Sequence, residues 1–191
     1  MDQLKILCAT GMLGRGLVES SLRRAVDTHD IAFIACDSGS NDAGPGNYAG
    51  TALGRPEGKV KEDLRTLLTI RDEQNIPLLI GSTGGPGTNQ NIDRVSEFVK
   101  EIADDKDLDF TLAKIYTEVD DSLVIEQINN GKIGQLSYDK TLTPDDVTNA
   151  ETIVAQIGIE PFIDAVNEDA DVILGGRSLD ISPFAAIPIM R

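Results

Sequence analysis

One histidine, His29, and two cysteines, Cys8 and Cys36, serve the whole of this 191-residue chain. A lone imidazole placed ahead of an apolar run excludes Ser-His-Asp and Cys-His catalysis and a multi-histidine metal site. Both cysteines stand near the ends of apolar runs, where a free thiol acts as a small buried hydrophobe, and no disulfide framework is indicated. A Cys36 thiolate is poorly supported, because Asp37 beside it raises the thiol pKa. Positive charge is short as well: 17 basic residues face 32 acidic ones, for a net charge of -15 and a pI near 4.3. Such a field repels phosphate backbones and anionic membrane faces, so neither nucleic acid nor membrane is an expected partner. Asp outnumbers Glu about two to one and Lys is scarce, which fits a high-salt cytoplasm and ordinary acidic solubility equally well. No apolar run approaches the roughly 18 to 20 residues that cross a bilayer, and MDQLKILC lacks the features of a secretion signal. The expected location is the cytoplasm.

Three segments share one pattern: a short apolar run, a glycine-rich polar turn, then a helical pattern. They are LKILCATGMLGRG (4–16), IAFIACDSGSNDAGPGNYAG (31–50) and IPLLIGSTGGPGTN (76–89). Near-continuous apolar runs at 4–9, 31–36, 76–81, 110–117 and 170–175 read as parallel strands covered on both faces. Amphipathic stretches at about 14–27, 59–75 and 89–105 read as helices, the second through Val60, Leu64, Leu67, Leu68 and Ile70. SLVIEQINNG reads as a short helix closed by Asn and Gly. Thr143, Pro144 and the acids that follow predict the start of a longer one, TPDDVTNAETIVAQIG, which Pro161 ends before PFIDAVNED forms another. The expected fold class is α/β: one doubly wound, mostly parallel sheet of about five strands with helices on both faces. In such a fold the turns after the strands meet at one edge, where the ligand lies.

Each turn carries candidates. Thr10 to Gly16 invites a dinucleotide reading, with Asp37 placed to grip a ribose, but its spacing is G-x-x-G-x-G and not G-x-G-x-x-G. The second turn, Asp37 to Tyr48, is too long and polar for a plain strand-to-helix passage. Asp37 and Asp42 in it are open to roles as metal ligand, base or ordinary turn acid. The third, Gly81 to Asn89, offers amides and hydroxyls beside a helix start and lacks the Gly-Lys-Ser/Thr ending of a triphosphate loop. After the last strand, Gly175-Gly176-Arg177-Ser178-Leu179-Asp180 brings a guanidinium to clamp a carboxylate or phosphate, or to pair with Asp180 or Asp37 and fix the loops. Glu118 and Asp120 add carboxylates to the same edge, where solvation is their commoner use.

Taken in order, GMLGRG, DSGSNDAGPGNY, LLIGSTGGPG, IVAQIGIEPFIDAV and ADVILGGRSLD resemble the N-terminal half of acyclic terpene utilisation (AtuA-like) proteins. A family segment near Asp-Ser-Gly-Ser-Thr-Asp-Xaa-Gly-Pro stands here with Asn41 for Thr. Ile-Gly-Ser-Ala-Gly corresponds to Ile80-Gly81-Ser82-Thr83-Gly84, and Ala-Gly-Arg-Xaa-Xaa-Asp to Gly175 to Asp180. The resemblance implies catabolism of terpenoid or branched acids through CoA esters, with a lyase or related acyl-CoA role as the usual assignment. It also implies that 1–191 is a single α/β domain, the N-terminal portion of a longer protein. The apolar ISPFAAIPIMR agrees with association with a missing C-terminal part or with a homo-oligomer.

The resulting expectation is a small carboxylate or acyl-CoA ester bound at the strand ends. Thr10, Gly11, Ser38, Gly39, Ser40, Asp42, Gly81, Ser82 and Gly84 supply amides and polar side chains, Arg177 the cation, and Asp37 and Asp180 the candidate catalytic acids. The cofactor is left unknown, with a divalent metal open. Two rivals stand beside it: an NAD(P)-binding domain at the first turn, and a non-catalytic subunit whose loops and apolar end meet a partner.

Overall fold

A computed structural model describes residues 3–39, 52–134 and 141–191. Five strands form one all-parallel sheet: β1 (Ile6–Cys8), β2 (Phe33–Asp37), β3 (Leu78–Gly81), β4 (Leu112–Ile115) and β5 (Val172–Gly175). Among the described residues there are seven helices: α1 (Glu19–Thr28), α2 (Glu57–Gln74), α3 (Asn89–Lys106), α4 (Asp121–Asn129), α5 (Pro144–Thr148), α6 (Glu160–Asn167) and α7 (Ser182–Met190). The α/β class, the parallel sheet and its five strands are as the sequence predicts, each strand shorter than its apolar run.

Strand order is β1-β2-β3-β5-β4. The chain steps one way through β1, β2 and β3, skips a place to reach β4 at the far edge, and returns to lay β5 in the gap. A reversal under right-handed crossovers sends the two sets of helices to opposite faces. The core divides accordingly. Ile34, Cys36, Leu78, Ile80, Val172 and Leu174 pack with Leu22 of α1, Leu64 and Leu67 of α2 and Ile92 and Val95 of α3. Their strand neighbours Phe33, Ala35, Leu79 and Ile173 pack the other way, against Phe162 of α6 and Ala186 and Ile187 of α7. Alternation within runs that are apolar throughout is what a two-sided sheet requires.

Three expectations change. Helix α1 starts at Glu19 and not near residue 14, because Gly14 and Gly16 hold φ of +87° and +96°, outside any right-handed helix. The helix opened by Thr143 has its start as predicted, with reciprocal capping between Thr143 and Asp146, but it stops at Thr148. The β-branched residues beyond pair as extended chain instead: Val119 N donates to Ile153 O, Ala155 N to Thr117 O and Ile157 N to Arg177 O. This strap from Ile153 to Ile157 ties the exit of β4 to the exit of β5. Cys8, at the end of the edge strand β1, is exposed; only Cys36 is the buried thiol expected of both. Among the described residues no helix is long and apolar enough to cross a membrane.

Candidate functional site

Neighbouring strands β3 and β5 send their chains to opposite faces, β3 into α3 and β5 into α7. A cleft between their carboxyl ends is the ligand position that this topology favours. Here the two exits are laced together. Ser82 N donates to Gly176 O at 3.0 Å and lies 3.0 Å from Ser178 Oγ, Thr83 N donates to Gly175 O at 2.9 Å, and Ser82 Oγ donates to Ser178 O at 3.3 Å. Thr117, at the exit of β4, adds a third loop: its hydroxyl accepts from Arg177 N at 2.8 Å and donates to Gly87 O at 3.2 Å. Gly87, at φ +76°, must be glycine, since a Cβ would collide with the Arg177 backbone nitrogen and stand 2.8 Å from its Cα. Ser82 holds a left-handed φ of +46° with its side chain fully buried, a conformation that costs a non-glycine residue and concentrates at working sites.

Asp37 ends β2 beside this lacing. Its Oδ2 accepts from Gly39 N at 3.0 Å, while the buried Oδ1 has no hydrogen-bond partner. The open side of Gly81 locates that oxygen: a Cβ there would lie 3.3 Å from Asp37 Oδ1, 2.7 Å from Ser178 Oγ and 3.1 Å from Pro183 of α7. Burial, then the negative charge of Asp180, raise the Asp37 pKa from near 3.8 to about 6, against the pull of the Ser82 hydroxyl and the Gly39 and Ser38 amides. Asp180 itself is exposed. Gly39 joins the cluster to the cation, since a Cβ on it would stand 2.6 Å from Ser82 Cβ and 2.8 Å from Arg177 Nη1. Arg177 is buried, and its Nη1 donates to Gly85 O at 3.3 Å. Asp37, Ser38, Gly39, Gly81, Ser82 and Arg177 are therefore one neighbourhood, as predicted. Gly84 lies in the same loop at φ +77°, packed against Asn91. Ser40 and Asp42 lie outside the described residues.

The remaining candidates lie elsewhere on the fold. Thr10 Oγ1 donates to Met12 O within its turn, and Gly11 is exposed. The amides of Gly14 and Gly16, which a pyrophosphate would need, are taken by the buried Asp63 of α2 through Oδ2, at 2.7 and 3.2 Å. At the start of α3, Thr88 caps Asn91 N, and Glu118 Oε1 accepts from Asn89 N at 2.8 Å. Asp120 caps α4 through Ser122 N at 2.8 Å. Nor is the hollow of about 440 Å³ between the starts of α2 and α3 suited to an acyl chain, because Glu57, Arg94 and Glu97 line it and pair with one another.

Four buried polar side-chain atoms among the described residues have no hydrogen-bond partner: Asp37 Oδ1, Thr83 Oγ1, Ser182 Oγ and Arg55 Nε. Every one lies at or beyond the carboxyl end of a strand: at the end of β2, on the loops after β2 and β3, or at the start of α7. An unsatisfied buried group costs about 1–3 kcal/mol, and all four of these lie on the carboxyl edge of the sheet. Thr83, Ser182 and Arg55 are not among the sequence candidates, and neither is Ser178, although it sits inside the motif that points to Arg177. No group of three or more His, Cys, Asp or Glu suited to a metal ion is found among the described residues.

A family model described as acyclic terpene utilisation family protein AtuA matches residues 5–191. No curated protein and no solved structure matches the chain.

Proposed function

The chain belongs to the acyclic terpene utilisation family AtuA, and from that membership we propose that it binds a small organic carboxylate, or the CoA ester of one, at the rim above β2, β3 and β5. The observation that carries this reading is the gathering of the unpartnered buried atoms Asp37 Oδ1, Thr83 Oγ1 and Ser182 Oγ at the carboxyl edge of the sheet, where its winding reverses. In this reading Arg177 faces the anionic or carbonyl end of the ligand. Asp37, with a pKa near 6, is ionised at neutral pH yet close enough to titration to accept and return a proton, as a general base does. Asp180, exposed beside it, helps hold that pKa up. The reaction class that follows is proton abstraction or addition next to a carbonyl, with terpenoid or branched-chain acids as the family's description suggests.

The test is a thermal-shift and calorimetric panel of branched unsaturated acids, their CoA esters, NAD and NADP. An acid or ester should bind saturably and the nucleotides should not, since Asp63 already fills the amides of the first turn. Asp37→Asn should abolish turnover of a bound substrate while leaving the fold intact. Saturable NAD binding without acid or ester binding would refute the proposal. A second reading, partner docking, is favoured by one feature: Leu179, Ile181, Ile189 and Met190 expose apolar surface at and around α7. Light scattering that shows only monomer at high concentration would remove self-association from it.

A further inference from the structure

We propose that Arg55 forms an oxyanion subsite on the same rim, separate from the Asp37 centre, which takes a phosphate or carboxylate group of a ligand. Such a subsite extends the ligand-binding reading above but stands on its own residues. The first observation is how this protein treats its cations. Arg23 is paired with Glu19 and Glu73, Arg65 with Asp105, Arg71 with Asp171, Arg94 with Glu57 and Glu97, and Lys114 with Asp93. Arg55 differs from these: half-buried beside the glycine loops, it pairs, like Lys5, with no carboxylate among the described residues.

Its hydrogen bonds are correspondingly poor. Nη1 donates to the carbonyl of its neighbour Gly54 at 3.1 Å, Nη2 points at Met12 Sδ at 2.8 Å, and Nε is enclosed with no acceptor. A thioether is a weak acceptor, whereas a guanidinium presents a planar fork of donors that fits an oxyanion at two points. The backbone holds the group in place. A Cβ on Gly14 would lie 2.8 Å from Arg55 Cβ, so the first turn leaves room for this stem only because it carries glycine there. Gly54 N donates to Gly84 O at 2.8 Å, and Arg177 Nη1 donates to Gly85 O at 3.3 Å, so the two arginines flank the same pair of glycines. Asp63, the nearby acid on α2, is spent on the Gly14 and Gly16 amides.

The experiment titrates the purified chain with pyrophosphate, inorganic phosphate and acetate at constant ionic strength, by calorimetry and by ¹⁵N NMR of arginine side chains, for wild type, Arg55→Gln, Arg55→Lys and Asp37→Asn. Wild type should bind at least one oxyanion saturably, with the Arg55 Nε–H resonance shifting along the titration. Arg55→Gln, with circular dichroism unchanged, should weaken that binding about tenfold or more. Arg55→Lys should lose less. A preference for the phosphates points to a phosphorylated ligand and one for acetate to a carboxylate, and either sustains the subsite. Absence of saturable binding to wild type, or equal binding by a folded Arg55→Gln, would overturn it. Should that variant misfold, an Arg55 Nε–H that stays fixed while wild type binds would overturn it equally. Oxyanion binding lost in Asp37→Asn and kept in Arg55→Gln would sink this subsite and leave the proposed function standing. Binding lost in Arg55→Gln, with every organic acid and ester failing to bind, would do the reverse.

Discussion

Replacing Asp37 by Asn should make the protein more stable at neutral pH, and the gain should fade as the pH falls. The ordinary aspartate value is near 3.8 and the folded one about 6, raised mainly by burial and then by Asp180. For a raised carboxylate the folded state binds the proton more tightly than the unfolded state, so stability falls as pH rises through the window from about 4 to about 6 and stays low above it. Below that window both states are protonated and the cost disappears. A rise from 3.8 to about 6 corresponds to about 3 kcal/mol at most, and the partial solvent access of the carboxylate brings the expected figure to about 1–2 kcal/mol. Asparagine keeps an oxygen to accept from Gly39 N and removes the buried charge. Urea denaturation of wild type and variant in parallel, from pH 4 to pH 8, isolates the effect, because titrating groups not coupled to Asp37 cancel in the difference. The variant should match wild type near pH 4 and exceed it by about 1–2 kcal/mol at pH 7, or roughly 2–8 °C in melting temperature for a chain of this size. Asp180→Asn should shrink the gap by lowering the Asp37 pKa. A difference that is independent of pH, or a variant less stable than wild type at pH 7, would refute the account of Asp37 as a destabilised, functional carboxylate.

Gly87→Ala should cost more than about 2 kcal/mol in urea denaturation, since the added methyl meets the Arg177 backbone and φ is +76°. Asp63→Ala strips the acceptor from two turn amides and should destabilise by about 2–4 kcal/mol, with Asp63→Asn losing less because one oxygen remains; equal stability of all three proteins would deny the latch. Cys8 should react with a thiol reagent in the native protein, while the fully buried Cys36, whose thiol burial pushes upward, should react only on unfolding. Two fast-reacting thiols in the native state would contradict the placement of β2 in the core.

Periodicity carried the fold well because both faces of the sheet are covered. Runs such as IAFIAC and IPLLIG are apolar throughout, and the helices between them bury the residues that their spacing picked out, Leu64 and Leu67 in α2 and Val95 and Val99 in α3. What failed was reach along the chain. Thr143 and Pro144 announce a helix without saying how far it runs, and the chain beyond finds better hydrogen bonds to residues 117–119 and 177–179 than a continued helix would supply. Those partners are remote in sequence, so no local pattern signals them. The candidate site was legible in its centre, Asp37, Ser82 and Arg177, because strand ends in a wound sheet must share an edge. Arg55 was missed for a related reason: its significance is the lack of a carboxylate, which only the assembled neighbourhood shows.

The glycine turns teach the sharper lesson. Exposed amides at a turn or helix start attract an anion, and glycine spacing in the sequence advertises that geometry without naming which anion will come. In a chain with 32 acidic residues the local concentration of carboxylate is high, and an internal one loses far less entropy on docking than a ligand taken from solution. Asp63 accordingly fills the first turn and Glu118 the start of α3, two places where the sequence invites a bound phosphate or carboxylate. The acidity of this chain therefore also fills two of its own glycine turns from within. Recognition of an anionic ligand is left to side chains that no internal acid has neutralised, which moves the search from glycine motifs to guanidinium groups and to Arg55 first.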